Sequence, residues 1–293
     1  MPDRSDVIYI YDGSFDGLMC CVFESYAAHE LPADITPINA AVPTLFDTKY
    51  IETIPGNANR VLNSIPKKMG SRAAGFIQQS FLTCLPQKEL RILDFMRLGY
   101  DCGSRVMGMA AHADVNILSK AVNHMTREAH LLKGFVRFSE RGSVLAAQIE
   151  PKNIVLPLIA DHFCERFPEE RFVIYDITNK MALTYQPYRG EIIHAESFVM
   201  PKDNESTEDY ERLWRVFYDS IEVEGRKNEK CRMNHMPKRY WKHLTEMQRE
   251  GDSLKMKDES LKIESKSFKT EGESLKNLSF PTPKASMPYI RTN

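Results

Sequence analysis

The feature that most constrains the fold is a change of period along the chain. From Asn57 to Leu85, from Gln87 to Gly99 and from Val115 to Leu132, apolar residues recur at helical spacing, with breaks at Gly70 and Pro86 and an end at Lys133-Gly134. Beyond that point the pattern shortens to β-branched and aromatic runs: Phe135 to Phe138, Val144 to Ile149, Phe172 to Ile177, Ala182 to Tyr185 and Ile192 to Phe198. One helix, Val155 to Phe167, interrupts them and is closed by Pro168. Arg141-Gly142, Asn179-Lys180 and Arg189-Gly190 read as hairpin junctions, which favours an antiparallel sheet over a parallel one. Helices first and strands later predict an α+β fold: a helical N-terminal half, an antiparallel sheet with packed helices in the middle, and a helical basic C-terminal segment.

The N-terminus adds a strand, a tight turn and a helix. Asp6 to Tyr11 is a β-rich run stopped by Asp12-Gly13, and Phe15 to His29 carries Leu18, Cys21, Val22, Ser25 and Tyr26 on one helical face. Lys49 to Ile54 offers a further short strand. Near the other end, Ser206 heads a helix whose stripe is Tyr210, Leu213, Trp214, Phe217 and Ile221, with Glu208, Asp209 and Glu211 at its positive end. Residues 1–250 are therefore expected to form one α+β domain, with a division near 133 if it is built as two lobes. Residues 251–293 are expected to be a disordered tail, because Leu254, Leu261, Phe268 and Leu275 repeat every seven residues and a coiled coil needs a second apolar position in each heptad.

Composition narrows the function classes. The 293 residues carry 39 Lys plus Arg against 40 Asp plus Glu, a formal net charge of −1, and 42% are hydrophobic, enough for a core. The longest clean apolar stretch, Val155 to Ala160, is too short to span a bilayer, and no secretory leader pattern precedes Asp12, so a cytoplasmic protein without membrane contact is expected. Cys20, Cys21, Cys84, Cys102, Cys164 and Cys231 contain no C-x-x-C pair; reduced, mostly buried thiols are expected, and neither a zinc ribbon nor an iron–sulfur ligand run is present. No metal site and no cofactor of the chain's own is expected. The phosphate-binding loop, the dinucleotide fingerprint and the nucleophile elbow are all missing.

Charge is concentrated in one place. Gly225 to His243, GRKNEKCRMNHMPKRYWKH, holds seven Lys or Arg against Glu229, a net of +6 that leaves −7 for the remainder. Pro237 suits the first turn of a helix, which would put Lys238 and Arg239 at an end where cations are disfavoured unless an anion sits there. Lys238, Arg239 and Lys242 with free backbone amides would form a phosphate site. Tyr240 and Trp241 would offer faces to a base, and Arg226, Lys227, Asn228, Lys230 and Arg232 would supply further contacts. The competing reading is a structural hairpin in which these cations pair with the acidic stretch Asp203 to Glu224 and Tyr240 and Trp241 are core anchors; mixed use would pack Trp241 inward beside the stripe containing Trp214, with the cations facing out.

Two weaker constellations remain. In Tyr11-Asp12-Gly13-Ser14-Phe15-Asp16-Gly17, Asp12 and Asp16 are candidates for a general base or a metal-binding pair, against the plainer roles of turn and helix cap. His124 and Glu128 share a helix face, but His130 lies off it, so no zinc motif forms; a polar cluster of Arg127, Glu128 and Arg137 is expected instead.

With YDGSFDGLMCCVFE near the start, REAHLLKGFVRF and DHFCERFPEERFVIYD in the middle and LWRVFYDSIEVEGRKNEKCRMNHMPKRYWKHLTEM near the end, residues 5 to 249 resemble an uncharacterised bacterial family of probable DNA metabolism proteins. The resemblance implies partnership with a radical S-adenosylmethionine protein of DNA repair or modification, and some relatives are fused to a uracil-DNA-glycosylase-type domain. It makes Arg226, Lys227, Asn228, Met236, Pro237, Lys238, Arg239, Tyr240, Trp241 and Lys242 family signature positions. The implied function is a DNA-binding accessory protein that presents DNA to that partner. The alternatives are a base-processing enzyme such as a DNA glycosylase, in which Asp12 or Asp16 activates water, and an interaction scaffold that never touches nucleic acid.

Overall fold

Valine, isoleucine and tyrosine in Val7–Tyr11 make a strand that is comfortable only when covered, and in the computed structural model it is the centre of a three-stranded sheet. The structure describes residues 4–196, 211–217 and 229–247. These fall into two compact units, residues 1–131 with 151–158 and residues 132–150 with the chain from 159 onward, so the division lies within two helices.

In the first unit β1 (Val7–Tyr11) runs into α1 (Phe15–Ala27), followed by β2 (Asp34–Pro37) and β3 (Asp47–Tyr50). Both β2 and β3 pair with β1 in parallel, giving the order β2-β1-β3. Helices α2 (Pro55–Met69), α3 (Ser71–Phe81), α4 (Lys88–Cys102) and the start of α5 (Ala113–Phe135) follow. Leu18, Met19, Ile65, Ile92, Phe95 and Leu118 are among the side chains that fill the core. Gly99 of α4 leaves room for the Met69 side chain of α2, since a Cβ there would stand 2.0 Å from Met69 Cε.

The expected strand at the N-terminus and the short strand near Lys49 thus join a third, unexpected one in a parallel sheet. The missed strand, Asp34-Ile-Thr-Pro, is only four residues long and ends in proline, and its pairing with β1 is a tertiary fact that periodicity does not carry. The strand expected over Lys49 to Ile54 forms earlier, at Asp47–Tyr50.

The second unit is built on a five-stranded sheet of order β4-β5-β6-β7-β8, comprising Ser139–Arg141, Val144–Ile149, Phe172–Asp176, Met181–Gln186 and Arg189–His194. Three of its pairings are antiparallel, as expected, but β5 and β6 are parallel because α6 (Leu156–Arg166) carries the chain between them. All five residues of β6 are buried, as a central strand requires. Phe138 packs edge-on against Phe163, Phe167 and Phe172, and Phe172 stacks on Tyr185 at 4.8 Å.

Two local expectations shift. Phe135 to Phe138 is not a strand: α5 continues to Phe135, and Arg137 Nη1 donates to the carbonyls of Gly134 and Val136, satisfying acceptors left open at the helix end. The β7–β8 turn lies at Pro187-Tyr188 instead of Arg189-Gly190. Tyr188 takes a φ of 63°, with its amide donating to the Tyr185 hydroxyl and its own hydroxyl to Glu169. Asp176, fully buried, accepts from the backbone and side-chain nitrogens of Asn179 and so fixes the β6–β7 turn where it was expected.

Residues 211–217 belong to a helix, α7, and Glu229–His235 form α8. Tyr210 and Ile221 of the expected stripe, and the whole heptad segment 251–293, lie outside the described residues. Of the six cysteines only Cys20 and Cys21 are buried, fewer than expected, while Cys84 and Cys231 are exposed.

Candidate nucleic-acid interface

The basic segment is described from residue 229, so Arg226, Lys227 and Asn228 lie outside the described residues. After α8, Pro237 leads into a six-residue 3-10 helix, Lys238–His243, in place of the α-helix expected there. The amide of Tyr240 already donates to the carbonyl of Pro237 at 3.0 Å, and so short an element carries little macrodipole. The α-helix N-terminus on which the expected phosphate site rests is therefore replaced by a 3-10 helix.

Aromatic rings organise the cations instead. The Arg232 guanidinium and the Lys238 ammonium lie over Trp241, at 5.3 and 5.7 Å from the ring centroid, and the Trp241 indole N–H donates to the carbonyl of Met236 at 2.9 Å. Arg239 lies over Tyr240 at 4.6 Å and donates to its hydroxyl. Tyr240 itself is 3% exposed and packs on Phe135, which removes it as a platform for a base. Lys230, Lys238 and Arg239 are exposed.

Lys242 has a different duty. It pairs with Glu150, just past the end of β5, while most of the acidic stretch Asp203 to Glu224 lies outside the described residues. His243 Nε2 stands 3.6 Å from the same carboxylate. Burial pushes the imidazole below its ordinary pKa while Glu150 pulls the other way. Sequence reasoning missed a further anchor, Glu246, whose carboxylate accepts from Arg137 Nη2 at 2.7 Å, Arg137 Nε at 3.3 Å and the Trp214 indole at 3.2 Å. Burial raises the pKa of Glu246, but the hydrogen bonds and charge of Arg137 outweigh it and hold the carboxyl below the usual range. Trp241 and Trp214 thus make separate hydrogen bonds, to the Met236 carbonyl and to Glu246. Nothing in spacing could have joined Arg137 to Glu246, which lie 109 residues apart.

Asp12 occupies the loop after β1. Its Oδ1 accepts from the backbone amide and hydroxyl of Ser14, at 2.9 and 2.7 Å, and its Oδ2 accepts from Thr53 Oγ1 at 2.9 Å. Ser14 in turn caps α1 by accepting from the Gly17 amide. Burial raises the Asp12 pKa, yet the bonds from Ser14 and Thr53 more than offset it and hold the group low. A carboxylate so stabilised is a poor general base and a good turn fixer. Asp16 is exposed in the first turn of α1 and shares no hydrogen bond with Asp12 among the described residues.

The polar cluster expected around Arg127, Glu128 and Arg137 is assembled from other residues. Glu128, 1% exposed, accepts from the amides of Lys152 and Asn153 and from Asn153 Nδ2 at 2.6 Å. Asn153 also meets His124 Nδ1 at 3.2 Å and accepts from the Cys84 amide at 2.9 Å. The shared face of His124 and Glu128 thus grips one asparagine and orders the segment ahead of α6. Among the described residues no group of three or more His, Cys, Asp or Glu is placed to hold a metal ion, and no helix is long and apolar enough to cross a membrane.

No curated protein matches the sequence. A family described as Domain of unknown function (DUF4130) matches residues 86–246. That span exceeds half of the chain and takes in the end of the helical region, the five-stranded sheet and the basic segment through Glu246, and the chain belongs to the DUF4130 family.

Proposed function

We propose that this protein is a DNA-binding accessory factor of DNA repair or modification, acting beside a radical S-adenosylmethionine enzyme and carrying no cofactor of its own. The observation that supports the DNA contact is the pair of cations, Arg232 and Lys238, held over Trp241 with Lys230 and Arg239 exposed on the same short segment. A cation laid on an aromatic ring has surrendered part of its conformational freedom before any ligand arrives, so less is lost when it meets a phosphate. Because the ring of Trp241 is already engaged by cations and Tyr240 is buried, the contact is to backbone phosphates, with base stacking dropped from the reading. The net −7 of the remaining chain keeps binding local. The enzyme partner comes from the sequence resemblance, whose signature positions run through this segment.

The test is fluorescence anisotropy of the full chain with labelled single-stranded and double-stranded DNA across a salt series. Affinity should fall as salt rises, since each neutralised phosphate releases counterions. Lys238→Glu with Arg239→Glu should abolish it. Lys230→Glu with Lys238→Glu, which leaves the packing of Arg239 on Tyr240 intact, should weaken it strongly. Unchanged affinity in either folded variant, or no binding by the folded wild type at low salt, overturns the reading and favours a scaffold that touches only protein.

A further inference from the structure

Strand β3 is an edge of the three-stranded sheet, and among the described residues no strand pairs with its outer side. The amides of Asp47 and Ile51 donate inward, to the carbonyls of Asp6 and Ile10 on the β1 side. Backbone groups alternate along a strand, so those of Thr48 and Tyr50 face outward. Open edges of this kind are templates for another strand, and proteins ordinarily blunt them with an outward lysine or a proline. Here the lysine is turned away. Lys49 Nζ is held by Glu24 of α1 at 2.7 Å and lies 3.7 Å from Glu30, just beyond that helix. Beside the edge, Val42, Leu45, Phe46 and Tyr50 are exposed to 76%, 105%, 46% and 59%.

We infer that β3 pairs antiparallel with β3 of a second copy of this chain, about a two-fold axis through Thr48. The short sequence Phe46-Asp47-Thr48-Lys49-Tyr50 is self-complementary in that register. Thr48 faces Thr48 of the other copy, and the two exchange both backbone hydrogen bonds. Asp47 faces Lys49 of the other copy at a position without backbone bonds, where Cα atoms approach to about 4.5 Å, and the part-exposed Lys49 ammonium, which keeps its Glu24 partner, gains a further carboxylate across the seam. The same pair recurs on the other side of the axis. Phe46 faces Tyr50 of the other copy on the opposite face, so the exposed aromatics cover one another. The Tyr50 amide then donates to the Phe46 carbonyl across the seam, while the Phe46 amide is already held by Thr44 Oγ1 at 3.2 Å. Two-fold self-pairing of one patch is the commonest way that chains close an assembly. The result is a continuous six-stranded sheet shared by two copies.

The test is sedimentation velocity on the full chain across a dilution series, alongside two variants. The wild type should sediment at twice the chain mass and dissociate on dilution. Thr48→Pro removes an outward amide that the isolated chain does not use and keeps a backbone compatible with an edge strand, so it should give a monomer with an unchanged circular dichroism spectrum. Asp47→Lys sets like charges opposite one another twice and should weaken association by about tenfold. A monomeric wild type, a dimer that survives Thr48→Pro, or one indifferent to Asp47→Lys overturns the inference.

Discussion

Arg137 reaches Glu246 through two of its guanidinium nitrogens, Nη2 at 2.7 Å and Nε at 3.3 Å, and the Glu246 side chain is 2% exposed. The same arginine caps the end of α5 through the Gly134 and Val136 carbonyls. One side chain therefore fixes both a helix end and the segment after the basic 3-10 helix. Its removal is expected to loosen the two together.

Glu246→Gln should destabilise the protein by about 3 kcal/mol, the scale for breaking a buried ion pair by removing one partner. The sign of the pH dependence follows from the depressed pKa of Glu246. The folded state holds the carboxylate more tightly than the unfolded chain, so this stabilisation is complete above the ordinary glutamate range and is lost as pH falls through the lower folded value. Urea unfolding from neutral to acid pH should show the difference between wild type and variant shrinking on acidification. A difference independent of pH would rule the carboxylate out as the cause.

In the DNA reading the cations are not equivalent. Lys238→Ala should reduce the slope of log affinity against log salt by about one. Lys242→Ala should leave it nearly unchanged, because Glu150 already occupies that ammonium. Anisotropy on the two variants compares them directly, and equal losses would place the contact surface elsewhere.

Glu128→Ala should cost about 3 kcal/mol, since it takes an acceptor from the buried Asn153 amide, from the Asn153 side-chain nitrogen and from the part-buried Lys152 amide. Chemical denaturation at neutral pH measures this. A change below 1 kcal/mol, roughly the worth of an ordinary exposed substitution, would mean that water replaces the carboxylate.

Gly17→Ala should disturb the loop after β1. A Cβ at Gly17 would stand 2.2 Å from Asp12 Oδ1 and 2.9 Å from Thr53 Oγ1, so the Asp12 carboxylate must move off its donors. The expected loss is about 1–3 kcal/mol, as for other overpacked sites, and the Asp12 pKa should rise toward the ordinary aspartate value in an NMR titration. An unshifted Asp12 with unchanged stability would show that the loop absorbs the methyl group without releasing the carboxylate.

Local chemistry was legible where a segment's own residues decide its fate. Val7–Tyr11 with Ser14 beyond it reads as strand and capped helix because β-branched residues and an N-cap act within a few positions. Helices α2 to α5 and the long strands β5 to β7 follow from their periods. What stayed hidden depends on distant partners. Asp34–Pro37 is a strand only because β1 lies beside it, and the parallel pairing of β5 with β6 is set by the helix between them. The same divide runs through the candidate interface. The clustering of Lys230, Arg232, Lys238 and Arg239 is plain in sequence, whereas the burial of Tyr240 needs Phe135, and the neutralisation of Lys242 needs Glu150.

The parallel joint between β5 and β6 divides the five-stranded sheet into pieces of different reach. Residues 142–143, 177–180 and 187–188 are all that separate the antiparallel neighbours, but 150–171 intervene between β5 and β6. Closing a long connection costs more chain entropy than closing a tight turn, and sequence-distant pairings form more slowly. The β4–β5 hairpin and the β6–β7–β8 meander are thus two self-contained pieces, each able to zip locally, and the sheet becomes whole only when α6 brings their facing edges into register. Until that seam shuts, each piece bares one side of its main chain, and the passage from nascent chain to finished sheet is most exposed to wrong partners there.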